Sequence, residues 1–143
     1  MNSDTIKLLR ECDAGVKMGI SSLEEVIAHV KDENLKKLLE NSKNAHKQLE
    51  METEELLKQY NDDGKEPAAI AKIMSWVKTN VKLTVDNSDA VVADLITDGC
   101  GMGVKSLYKY LHQYPASDQK AKELAEKVIK EESDLIHAMH DYL

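Results

Sequence analysis

Met102-Gly103-Val104-Lys105-Ser106-Leu107 is the second writing of a stretch the chain has already used, Met18-Gly19-Ile20-Ser21-Ser22-Leu23. Upstream of these copies, Asp13 precedes the first and Asp98 the second at nearly the same spacing. Asn2-Ser3-Asp4 returns in the same way as Asn87-Ser88-Asp89. Self-similarity at so long a period is architectural: each copy is a unit that must bury its apolar face against another. The chain reads as a single domain over residues 1–143, with a first repeat at 2–60, a connection at 61–86 and a second repeat at 87–143.

Each repeat reads as a pair of helices. Ser3 or Asp4 caps a first stripe of Ile6, Leu9, Asp13, Val16, Ile20, Leu23, Ile27 and Val30 at three-four spacing. Lys31-Asp32-Glu33-Asn34 breaks that period and caps a second stripe of Leu35, Leu38, Leu39, Ser42, Ala45, His46, Leu49, Leu56 and Tyr60. Long helices joined by a few residues pack antiparallel. In the second repeat the stripe runs Val91, Val92, Leu95, Asp98, Met102, Leu107, Leu111 and Tyr114. Pro115-Ala116-Ser117-Asp118 stops it, and Ala121, Leu124, Ala125, Val128, Ile129, Leu135, Met139 and Tyr142 line the last helix. Aromatic residues make up 4% of the chain, with no Phe and a single Trp76, so the core is expected to be aliphatic and helical rather than a sheet.

The connection decides the topology. Asn61-Asp62-Asp63-Gly64-Lys65-Glu66-Pro67 is the strongest break in the chain, and Ile70, Ile73, Met74, Val77 and Val81 then mark a shorter amphipathic helix ending near Asp86-Asn87. At ~1.5 Å per helical residue such a segment travels the ~40 Å length of a bundle. The third helix would then run parallel to the second, giving an all-α, up-down-down-up four-helix bundle whose two hairpins are related by a pseudo-twofold axis.

A net charge of −7 repels phosphate backbones and anionic lipid, which argues against nucleic acid or a membrane surface as partner. No apolar run approaches the ~18 residues of a spanning helix. Met1-Asn2-Ser3-Asp4 lacks the features of a signal peptide, and two cysteines are too few for a secreted scaffold. These features point to a cytoplasmic protein.

A duplicated hairpin with a long crossover resembles the ferritin-like superfamily. More narrowly, the Trp76 region, Ala93-Asp94-Leu95-Ile96-Thr97-Asp98-Gly99-Cys100, the Met102-Gly103 repeat and Leu111-His112-Gln113-Tyr114 look like a family of bacterial bundle proteins known as a domain of unknown function. That likeness covers residues 67–143 in detail and the earlier half through the internal repeat. It implies a fold and carries no chemistry.

Diiron and dimanganese centres of the superfamily take a carboxylate from each of two helices and a Glu-x-x-His from each of the other two, all at mid-height. The candidates for iron or manganese are Asp13 and Asp98 on the first and third helices, His46 and Glu50 on the second, and Glu132, Asp134 and His137 on the fourth. The set is incomplete. Asp13 and Asp98 lie about a turn off centre, in opposite directions, and His46 and Glu50 are four apart rather than three. Ala14, Gly15 and Gly19, with Gly99, Gly101 and Gly103, instead place small residues where the helices should cross, and each interior glycine costs ~1 kcal/mol relative to alanine unless a close approach repays it.

Other groupings read more plainly. Gly99-Cys100-Gly101-Met102-Gly103 lies inside a helix and does not follow a strand as a phosphate loop does. Cys12 and Cys100 read as small buried residues, and His29, His137 and His140 as solvated groups at one end. His46 reads as a hydrogen-bonded core histidine, and Glu50-Met51-Glu52-Thr53-Glu54-Glu55 as a solvated face. Tyr108, Tyr110, Tyr114 and Trp76 are expected to form an aromatic patch near the connection. The sequence therefore favours a non-catalytic structural or interaction module, with a homodimer as one possible assembly. A metal-binding oxidase or metal-handling protein is the competing reading.

Overall fold

The computed structural model describes residues 3–64 and 88–143, with Ala71 and Ser75 between them. Trp76, the helix expected after Pro67, most of the connection and the break expected near Asn87 lie outside the described residues. Among those described, every regular element is helical: α1 (Ser3–Ile27), α2 (Glu33–Gln59), α3 (Asp89–Gln113), α4 (Gln119–Met139) and a closing 3-10 turn, His140–Tyr142. None of these helices is long and apolar enough to cross a membrane.

The helices begin and end where side chains can satisfy their free backbone groups. Asp32 caps α2 by accepting a hydrogen bond from the Leu35 N–H at 2.9 Å. The α2 C-terminus is followed by Asn61 and Gly64, both at positive φ (55° and 90°), a conformation that glycine adopts without penalty. Gly64 is doubly constrained, since a Cβ there would lie 2.7 Å from Asp13 Oδ2. Asp62 closes the turn by accepting from the Gly64 N–H and from the Arg10 guanidinium on α1. That guanidinium holds the Asp62 carboxyl below its ordinary value.

Ser88 and Asp118 occupy the N-cap positions of α3 and α4 without a side-chain capping bond. Asp89 instead accepts from the backbone N–H groups of Lys31 (2.8 Å) and Asp32 (2.9 Å), tying the start of α3 to the turn after α1. At the opposite end Asp4, on the first turn of α1, accepts from the Ala116 N–H (3.1 Å) in the turn after α3. Asp4 and Asp89 are 85 residues apart, as are Lys31 and Ala116. The Asp118 N–H donates to Thr5 Oγ1 (2.7 Å), and the Tyr60 hydroxyl donates to the Asp118 carboxylate. The start of α1, the end of α2 and the turn before α4 thus meet at one end.

α1 packs against α2, α3 and α4, while α4 also packs against α2 and α3. The apolar interior falls into two clusters. One holds Leu8, Leu9, Cys12, Val16, Ile20, Leu49, Leu57, Leu107 and the α4 residues from Ala121 to Ile129. The other holds Leu23, Val26, Leu35, Leu39, Val92, Ala93, Ile96, Cys100, Leu135 and Met139. Each fully buried leucine contributes about 2 kcal/mol through its removal from water. In sequence, Ser42, His46 and Glu132 fall between the members of the two clusters, and all three are buried.

The stripe on α3 differs from the expected one. Its buried residues are Val92, Ala93, Ile96, Cys100 and Leu107. Asp98 is exposed and Met102 is 67% exposed. Both stand two residues from Cys100, about 200° around the helix, so a stripe through Ile96 and Cys100 carries them to the outside. Val91 and Leu95 lie half-buried at its margin.

Candidate functional site

The polar middle of the molecule is assembled from all four helices. α2 brings Ser42 and His46, one turn apart on the same face, and α4 brings Glu131 and Glu132. His46 Nδ1 lies 2.8 Å from the Ser42 carbonyl oxygen, which can only accept, so Nδ1 carries a hydrogen. The Ser42 hydroxyl donates to Glu131 Oε2 at 2.8 Å. His46 Nε2 faces Glu132 Oε1 at 3.5 Å, with His46 1% and Glu132 5% exposed. The second carboxylate oxygen of Glu132 is buried and has no hydrogen-bond partner among the described residues.

The repeated glycines account for how these side chains fit. A Cβ on Gly19 of α1 would stand 2.8 Å from His46 Cδ2 and 2.9 Å from Nε2. A Cβ on Gly103 of α3 would run into Glu132 Oε2 and lie 3.1 Å from its Cδ. Each copy of the Met-Gly element therefore supplies a bare patch of helix on which a polar side chain of the following helix rests. The expected crossing of small residues is corrected here: Gly15, Gly99 and Gly101 have nothing within 4 Å of a Cβ position. At Gly19 and Gly103 the approaching group is a side chain rather than another backbone.

Burial works against the charge on both partners. It would strip the proton from His46, but the Glu132 carboxylate and the Ser42 carbonyl outweigh it and hold the imidazole above its ordinary value. Burial pushes the Glu132 carboxyl up, His46 opposes this only in part, and the charge of Glu131 adds to the rise. Cys100 is driven up by burial and by the same two carboxylates, and burial takes the Cys12 thiol to about 12. Neither sulfur is poised as a thiolate nucleophile.

A second network lies on the α1–α2 face. Lys17 Nζ contacts Asp13 Oδ1 at 2.5 Å, Glu54 Oε1 at 3.0 Å and Glu50 Oε2 at 4.0 Å. Asp13 is 2% exposed, and burial raises its carboxyl against the pull of Lys17. Burial likewise raises Glu50, and the hydrogen bonds to Asp13 and Glu54 overcome burial to raise Lys17.

The seven residues singled out from sequence are thus dispersed. His46 and Glu132 face each other; Asp13 and Glu50 belong to the Lys17 network. Asp98 is exposed, Asp134 is an exposed partner of Lys130, and the exposed His137 stacks edge-on with His140. Among the described residues no three His, Cys, Asp or Glu side chains come together as a group able to hold a metal ion. A two-metal centre needs donors from all four helices at mid-height. α1 and α3 present glycine against the central pair, and the residues present do not fit such a centre. Sequence reasoning missed Ser42, Glu131 and Lys17 as members of these networks. The i, i+4 spacings of Ser42 to His46 and of Asp13 to Lys17 were the available signal.

Of the aromatic patch, Tyr110 and Tyr114 stack with ring centres 6.2 Å apart and Lys7 lies over the Tyr114 ring, while Tyr108 is 51% exposed. Comparison with protein families, with curated proteins and with solved structures finds no match to this chain.

Proposed function

We propose that the chain is a ferritin-like bundle of the up-down-down-up kind, built from a duplicated hairpin, and that it serves as a non-catalytic structural or protein-interaction module. Reciprocal contacts at the two ends support the topology: the first turn of α1 receives the turn after α3, and the first turn of α3 receives the turn after α1. The equal spacing of these partners in sequence supports the duplication.

The single observation that carries the functional reading is the glycine at the middle of α1 and of α3. Where a two-metal oxidase would place carboxylates, Gly19 and Gly103 lie against an imidazole and a carboxylate that fill the space themselves. Two polar residues locked together in this way hold helices in register.

The test is elemental analysis of protein purified from cells grown with added iron and manganese. Less than a tenth of an equivalent of either metal per chain is expected. A stoichiometric metal ion, retained through gel filtration, would overturn the reading.

A further inference from the structure

The contact between His46 and Glu132 is chemically incomplete as its heavy atoms stand. Nδ1 is committed as a donor to the Ser42 carbonyl, so in a neutral imidazole Nε2 is a bare lone pair. It faces Glu132 Oε1, which in a carboxylate is also only an acceptor, 3.5 Å away and out of reach of water. Two acceptors do not rest against each other in a buried site unless something positive lies between them. We propose that this something is one proton, shared by His46 Nε2 and Glu132 Oε1, and that its loss as pH rises loosens the middle of the bundle.

The surroundings contain no substitute charge among the described residues. From α1 comes Gly19, and Lys17 half a turn away is engaged by Asp13, Glu54 and Glu50. α2 contributes the neutral Ser42. α3 contributes Gly103 and the buried thiol of Cys100, and α4 contributes Glu131, a second carboxylate that makes an unprotonated Glu132 less favourable. With the proton gone, a buried carboxylate would face a lone pair on one side and, through its other oxygen, no partner among the described residues. The helices respond where they rest on those two groups, at Gly19 and Gly103, between the two apolar clusters. The device works whether or not the module binds a partner.

The sign follows from proton counting. The unfolded chain loses its histidine proton near pH 6.5, whereas the folded pair still holds one above that point, so unfolding releases a proton. The histidine's contribution is fully present on the acid side of pH 6.5 and falls as pH rises from there until the folded pair has also lost its proton. The raised Glu132 carboxyl begins to lose its own contribution lower, from the ordinary glutamate value.

The experiment is denaturant unfolding of the full chain from pH 5.5 to 10 in the presence of a chelator, comparing wild type with Glu132→Gln. The glutamine amide can donate to Nε2 without any ionisation. In wild type the folding equilibrium constant should fall by up to tenfold per pH unit above about pH 6.5, and the variant should lose that dependence. Identical profiles for the two proteins overturn the proposal. A wild-type profile that changes when chelator is withdrawn also overturns it, because the cation is then a metal. Should the variant fail to fold, the wild-type protein decides by ring-nitrogen and carboxyl-carbon NMR at pH 7. A proton found on Nε2 or on Glu132 supports the proposal, and its absence from both overturns it.

Discussion

The Lys17 network and the His46–Glu132 pair both cross helix interfaces, and they balance charge by opposite means. On the α1–α2 face one ammonium, Lys17, serves three carboxylates and keeps access to water. In the centre, one imidazole and one carboxylate are buried together with no lysine or arginine beside them among the described residues. The difference shows what depth does to an ion pair. Near the surface a long side chain can bring a permanent charge and leave its end hydrated. In the interior desolvation makes a permanent charge expensive, and a titrating pair can hold a single proton instead.

The contrast can be broken most severely at Glu132. Glu132→Ala leaves His46 without its partner and opens a space over Gly103, and it should cost about 3 kcal/mol in denaturant unfolding. Next in size is Gly103→Ala, whose new methyl group would displace the Glu132 carboxyl from its seat; a loss of about 2 kcal/mol is expected from the same measurement. On the outer network, Lys17→Met strands the buried Asp13 and should cost about 1–2 kcal/mol. Adding Asp13→Asn should recover most of that loss, because the unpaired charge goes with it, and a double-mutant cycle reads the coupling directly. The pH dependence sharpens the same point. Asp13 carries a carboxyl raised by burial, so its contribution is greatest below the ordinary aspartate value and is lost as pH rises through the folded one. Wild-type stability should therefore fall more between pH 4 and 7 than that of Asp13→Asn. The smallest effect has the opposite sign. Gly101→Ala, with open space at its Cβ position, should gain up to about 1 kcal/mol and raise the thermal midpoint.

The helices were legible because their stripes are long and their breaks chemically explicit: Asp32 caps α2 as its place in the polar turn implies, and Asn61 to Gly64 end that helix where expected. The register of α3 was not. Val91, Val92, Leu95 and Ile96 offer two adjacent apolar tracks, and nothing within the helix chooses between them. The choice is consistent with what lies across the interface, since the track through Ile96 and Cys100 leads on to Gly103 and the carboxyl of Glu132. Glycine compounds the difficulty, because a residue without a side chain adds nothing to an apolar period. Thus Gly15, Gly99 and Gly101 read like Gly19 and Gly103 until their neighbours are known. The candidate site was half visible. His46 read as a hydrogen-bonded core histidine, and it is one. Its apposition to Glu132 joins residues far apart in the chain, so spacing could not reveal it. The roles of Asp89 and Asp118 were hidden for a related reason: a short acid at a helix start can serve its own helix or a neighbour, and only the fold decides which.

The crosswise bonds of Asp4 and Asp89 have a consequence for how the molecule comes apart. Each hairpin's bend exposes amide hydrogens whose acceptor is on the other hairpin: Lys31 and Asp32 depend on Asp89, and Ala116 depends on Asp4. If one half peels away, its partner's bend loses the acceptor that the other half supplied. Fraying at either tip is therefore felt by both halves at once, which favours one concerted melting event over the stepwise release of two independent hairpins.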